Sequence, residues 1–173
     1  MKKLIMILVT LITLTLTSNS LAGNSVYIWQ VNQDENGSVY IKQDGASNMV
    51  GLSTSYPFLI NGPNLTLIIK QIGNSNVAKD SNHRAFMGSN MTFDYLATGD
   101  SNVLRLDLDD VGADGHYYDI DITGNLNIVE IDTNTSDDVQ DTHVDLDIVG
   151  NSNDFWMNSH GDSHFLYVLI SGD

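Results

Sequence analysis

The chain has 173 residues, no cysteine, and seven basic against 22 acidic residues, a net charge of −15. So acidic a surface repels nucleic acid and anionic lipid, which argues against both as partners. Without cysteine, no disulfide can staple the fold. Strong acidity often accompanies disorder, but a hydrophobic content of 42% and a regular strand pattern argue for a folded chain.

Residues 1–22 open with Lys2 and Lys3, continue through an apolar stretch from Leu4 to about Leu16, and close on Ser20-Leu21-Ala22. This predicts a secretory signal cleaved before Gly23. The apolar stretch is shorter than the ~20 residues of a spanning helix, so stable membrane insertion is not expected. Cleavage leaves 173 − 22 = 151 residues, one domain's worth, with a net charge of 5 − 22 = −17.

Residues 23–37 form an N-terminal segment in which Val26-Tyr27-Ile28-Trp29-Gln30 echoes Val39-Tyr40-Ile41-Lys42-Gln43 thirteen residues later. The turn signal Asn36-Gly37 lies between them. The segment reads as half a repeat, either a first half-rung or a peptide read by the export machinery.

From residue 38 to 173 one unit recurs. Its glycines are Gly45, Gly73, Gly99, Gly124, Gly150 and Gly172, spaced by 28, 26, 25, 26 and 22 residues, a period that signals a solenoid. Four residues before each glycine stand Ile41, Ile69, Tyr95, Ile120, Leu146 and Val168, and six before stand Val39, Leu67, Phe93, Tyr118, Val144 and Leu166. All are apolar or aromatic, while the intervening positions are mixed, as a half-buried strand requires. Three residues after the glycine come Asn48, Asn76, Asn102, Asn127 and Asn153. Both residue types tolerate positive φ, and an asparagine side chain can bond nearby backbone. Each unit reads as strand, tight arc, strand. The polar connections, at 53–64, 81–90, 109–115 and 133–142, read as outer arcs or excursions from the stack.

At Gln43-Asp44-Gly45-Ala46-Ser47-Asn48 and Gln71-Ile72-Gly73-Asn74-Ser75-Asn76 followed by Ala78, the motif Q-x-G-x-x-N-x-A resembles the repeat of curlins, secreted bacterial subunits of functional amyloid fibres. The glycine-asparagine core spans five units and the glutamine two. The resemblance implies strand–arc–strand rungs that stack within and between molecules, a nucleating partner or other curlin-like subunits, and a curli-type export machinery. It implies structural roles for Gln43, Gly45, Asn48, Gln71, Gly73, Asn76, Gly99, Asn102, Gly124, Asn127, Gly150, Asn153 and Gly172. Ala97, Ile122, Ile148 and Ile170 replace the inward glutamine, so register-fixing glutamine ladders weaken in the C-terminal half.

Asp94, Asp119 and Asp145 share one outward position on three units, and Asp121 and Asp147 share the next on two. Carboxylates about 4.8 Å apart repel by roughly 0.9 kcal/mol at water's dielectric. Ca²⁺ would relieve this; a solvated acidic face is the plainer reading. His83, His116, His143, His160 and His164 read as surface residues, since metal binding needs several ligands to converge. Acidic pairs such as Asp109-Asp110 and Asp137-Asp138 would suit a glycosidase, but no nucleophile elbow or phosphate loop occurs. Outward Trp29, Tyr40, Tyr117, Trp156 and Tyr167 read as cross-strand packing.

The expectation is an all-β, curlin-like β-solenoid of about five and a half rungs, flat in cross-section with two parallel sheets. It would be secreted, non-enzymatic and self-associating, a structural subunit of extracellular, cell-surface fibres supporting adhesion and biofilm matrix. The alternative is a monomeric acidic cell-surface solenoid that binds calcium or glycan, and a third reading is a polysaccharide-active enzyme.

Overall fold

The computed structural model describes residues 13–17, 23–27, 29–31, 37–51, 59–61, 63–79, 86–87, 89–107, 115–133, 139–159 and 161–172. The expected cleavage site, most of the expected signal and most of the connections lie outside them. The first strands are Thr13–Thr17 (β1), Asn24–Val26 (β2), Trp29–Val31 (β3), Gly37–Asp44 (β4), Ser47–Val50 (β5) and Leu59–Asn61 (β6). Next come Leu65–Ile72 (β7), Ser75–Lys79 (β8), Phe86–Met87 (β9), Thr92–Thr98 (β10), Ser101–Asp107 (β11) and Tyr117–Thr123 (β12). The last are Leu126–Thr133 (β13), Val139–Gln140 (β14), His143–Val149 (β15), Ser152–Ser159 (β16), Gly161–Asp162 (β17) and Phe165–Ser171 (β18).

The protein is a β-solenoid, all-β among the described residues. A seven-stranded sheet runs β1-β4-β7-β10-β12-β15-β18 and a six-stranded sheet runs β2-β5-β8-β11-β13-β16, with every pairing parallel and every unit in register with the next. Five rungs, β4–β5 to β15–β16, carry a strand in each sheet; β1 and β2 lie on the first of them, one in each sheet, and β18 is a half-rung at the opposite end of the column. No helix of the described residues is long and apolar enough to cross a membrane.

Local sequence explains this arrangement. Leu65-Thr66-Leu67-Ile68-Ile69-Lys70-Gln71 alternates buried and half-buried positions without a break, so only one face can enter the core. Stacked at parallel-strand spacing, the inward positions become continuous rows: Val39, Leu67, Phe93, Tyr118, Val144, Leu166, and beside them Ile41, Ile69, Tyr95, Ile120, Leu146, Val168. The second sheet contributes Val26, Val50, Ala78, Leu104, Val129 and Phe155. Leu67, Ile69, Ile120, Leu146, Leu104 and Val129 are fully buried, each worth about 1.5–3 kcal/mol.

The likeness of Val26-Tyr27-Ile28-Trp29-Gln30 to Val39-Tyr40-Ile41-Lys42-Gln43 does not extend to pairing: Asn24 and Val26 of β2 pair with Asn48 and Val50 in the six-stranded sheet, whereas β4 belongs to the seven-stranded one. The connections are also more than loose arcs. Short strands in them build a three-stranded sheet, β3-β6-β9, and a two-stranded one, β14-β17, so the two main sheets are not the whole cross-section. Parallel stacking of the rungs carries equivalent parts of each connection into pairing distance as well.

Candidate functional site

The arc between the two sheets is where the repeat motif sits. A Cβ on Gly73 would run into the carbonyl oxygen of Gly45, one on Gly99 into that of Gly73, and the relation repeats at Gly124, Gly150 and Gly172. The six glycines therefore lie in one row, and close backbone approach is what demands Gly73, Gly99, Gly124, Gly150 and Gly172, while at Gly45 a Cβ would meet the Asn24 side-chain amide. Positive φ is not the reason, because Gly45, Gly73, Gly99, Gly124 and the five motif asparagines are absent from the positive-φ residues of the chain.

Each glycine amide donates to the next rung: Gly45 to the Ile72 carbonyl (3.0 Å), Gly73 to Thr98, Gly99 to Thr123, Gly124 to Val149 and Gly150 to Ser171. Each asparagine adds a second donor to the same oxygen where the rung is complete on both sides, as Asn48 to Ile72 (2.9 Å) and Asn76 to Thr98 (3.0 Å). The side chains also bond one another. Asn48 donates to Asn76 (2.9 Å), Asn76 to Asn102, Asn102 to Asn127 and Asn127 to Asn153 (each 2.8 Å). Asn48, Asn76, Asn102 and Asn127 are buried, so the ladder satisfies amides that would otherwise cost stability.

Gln43 and Gln71 form a shorter ladder. Gln71 donates to Gln43 Oε1 (2.8 Å), and Gln43 donates to the Asn24 and Met49 carbonyls (2.9 and 3.1 Å). Where the next rung has Ala97, the Tyr95 hydroxyl donates to Gln71 Oε1 (2.9 Å) and closes the ladder. Burial pushes the Tyr95 and Tyr118 phenols far above their ordinary range.

On the outer face of the seven-stranded sheet, Asp94, Asp119 and Asp145 align, as do Asp121 and Asp147. Desolvation raises the Asp119 carboxyl first, then Asp121, Asp94, Asp145 and Asp147 raise it further. Asp121 is raised by desolvation, then by Asp147, Asp94 and Asp145. No group of three or more His, Asp or Glu among the described residues is arranged to hold a metal ion, and Asp109-Asp110 and Asp137-Asp138 lie outside those residues. His143 stacks between Tyr117 and Phe165, with ring centroids 4.9 and 4.6 Å away. His116 departs from the surface reading: it is buried, and its Nδ1 accepts the Met91 amide at 3.3 Å.

The column ends differ from its middle. In β15, Val144 and Ile148 are 1% and 0% exposed, whereas their partners in β18, Leu166 and Ile170, are 46% and 45% exposed. Phe165, Tyr167, Leu169 and Trp156 are exposed beside them. At the other end β2 is the edge of its sheet, and β1 lies along Tyr40–Asp44 of β4.

Set against known proteins, the chain matches no family model, no curated protein and no solved structure.

Asn24 and Tyr95 have roles that the repeat motif does not reveal. Asn24 heads the asparagine ladder, donating to Asn48 Oδ1 and to the Asp44 carbonyl (both 3.1 Å). Three residues before it stands Leu21 in place of glycine, so the glycine spacing does not mark it. For Tyr95, read from the sequence only as an inward core position, a signal does exist: it stands where other units have an aliphatic residue, in the one unit where Ala97 follows a glutamine-bearing rung.

Proposed function

We propose that this chain is a structural subunit that stacks end to end into extracellular fibres, built on curlin-like repeats and supporting adhesion or biofilm matrix. What supports it most is the end of the column: the inward apolar row that is sealed in β15 is uncovered in β18. An open parallel edge with an unsealed core is a template for a further strand of the same pattern. The glycine and asparagine rows add direction, since every amide in them points the same way along the axis.

In this reading the chain is secreted after loss of residues 1–22, exported by a curli-type machinery, and nucleated by a partner or another curlin-like subunit. It performs no catalysis, and its acidic outer faces keep the fibres apart and hydrated. The test is incubation of purified chain beginning at Gly23, followed by thioflavin fluorescence, electron microscopy and fibre diffraction. Unbranched fibres with a reflection near 4.8 Å along the axis are expected. Persistent monomer with and without calcium or seeds would move the reading to an acidic binding module, and sugar release from a polysaccharide panel would move it to an enzyme.

A further inference from the structure

The glycine-asparagine motif is cut in two by the ends of the column. In the inner rungs a single carbonyl, Ile72 or Thr98 for example, receives the glycine amide and the asparagine side chain of the rung before it. At the first edge the described residues supply half of that pair. Asn24 donates to the Asp44 carbonyl, and Leu21 stands where the glycine of the motif belongs. At the last edge the opposite half is present. Gly172 packs on the Gly150 carbonyl as the other glycines pack on their neighbours, and among the described residues no strand of the six-stranded sheet follows β18.

The two halves match. Leaving β1 aside, each main sheet holds six strands, β4 to β18 in one and β2 to β16 in the other, offset by half a rung. We propose that a second copy of this chain completes the split rung: β18 and Gly172 of one copy stack on β4 of the next, while β2 of the next stacks on β16 of the first. This rests on the fibre reading and gives it a register. Continuing the existing rows places Leu166 over Val39, Val168 over Ile41, Ile170 over Gln43 and Ser171 over Asp44, with Asn153 against Asn24 in the other sheet. The Gly172 amide then reaches the Asp44 carbonyl, and Asn153 passes the amide ladder on to Asn24.

The chain itself shows that the first edge accepts such a strand. Thr13–Thr17 lies parallel on it, Leu14 in register with Ile41 and Leu16 with Gln43, the positions that Val168 and Ile170 of the second copy take. The two occupants exclude each other, so a chain retaining residues 13–17 keeps its first edge closed.

Because the chain has no cysteine, engineered thiols report the joint without background. Lys42 and Leu169 both lie at exposed outward positions, at opposite ends of one row. They are five rungs, about 24 Å, apart within a molecule, so a bond between them must join two copies. In the chain beginning at Gly23, Lys42→Cys with Leu169→Cys should give a ladder of disulfide-linked multimers on oxidation. An equal mixture of the two single variants should stop at dimers. Tyr40→Cys with Leu169→Cys, displaced by two residues to roughly 8 Å, should give almost none. Circular dichroism of each variant confirms that it folds. Fibres that cross-link equally well with Tyr40→Cys as the partner of Leu169→Cys, or that fail to cross-link with Lys42→Cys, would overturn the split rung and leave the fibre reading standing. Absence of fibres in the unsubstituted chain beginning at Gly23 would overturn the fibre reading itself. The full chain should cross-link at least about tenfold more slowly, since a tethered strand competes at high effective concentration. Equal rates would overturn the exclusion by residues 13–17.

Discussion

At the scale of residues, the motif asparagines are not interchangeable with their neighbours. Asn102 is buried; it donates to the Gly99 and Thr123 carbonyls and to Asn127, and accepts from Asn76. Asn102→Ala strands several of these groups away from water and should cost at least about 3 kcal/mol. The Asn125 side chain is exposed, and its bonds with Asp100 and Asn151 are long, at 3.3 and 3.4 Å, so Asn125→Ala should stay within about 0.5 kcal/mol. Urea unfolding midpoints of the two variants test the contrast, and equal losses would remove the ladder from the account of stability. The ladder was legible as a fixed spacing from glycine. Its physical cause was not, because carbonyl crowding between Gly73 and Gly45 exists only once the rungs are stacked.

At the scale of elements, the carboxylate rows set a pH dependence. Asp119 and Asp121 bind a proton more readily in the folded chain than at the ordinary value of 3.8. Their favourable contribution is complete below that value and is lost as pH rises through the higher, folded pKa. The thermal midpoint should therefore fall between roughly pH 4 and neutrality, and Asp119→Asn with Asp121→Asn should flatten the slope and raise the midpoint at pH 7. A double variant that melts lower at pH 7, together with a wild-type midpoint that drops on chelation, would instead mark the rows as a calcium site. Strand identity was the most legible element property, since Leu65–Ile72 and its equivalents alternate without interruption. Two kinds of strand escaped. Short ones such as Val139–Gln140 owe their pairing to the rungs that flank them. Asn24–Val26 is too short for alternation to decide its sheet, and the pairing of Asn24 with Asn48 runs in the sheet opposite the one that holds Val39–Gln43.

At the scale of the whole molecule, each rung meets only the rungs above and below, so the column behaves as a one-dimensional stack. A complete unit should then be removable where a partial one is not. Deleting residues 99–123, 124 − 99 = 25 residues, joins Thr98 to Gly124 and lets β10 continue into β13. Tyr95 then meets Leu146 and Asn76 meets Asn127, the same chemical rows as before, and the buried His116 leaves together with Tyr118, whose ring it faces at 5.9 Å. Deleting one residue more, 99–124, takes the arc glycine and advances every following side chain by one position. In a strand that step exchanges the core face for the solvent face, sending Asn127 outward and Ile128 into the amide ladder. The 25-residue deletion should keep a β-sheet circular dichroism spectrum and a single urea transition at somewhat lower midpoint, while the deletion of 99–124 should lose both. Equal folding of the two variants would mean that alignment of equivalent positions from rung to rung is not what holds this column together.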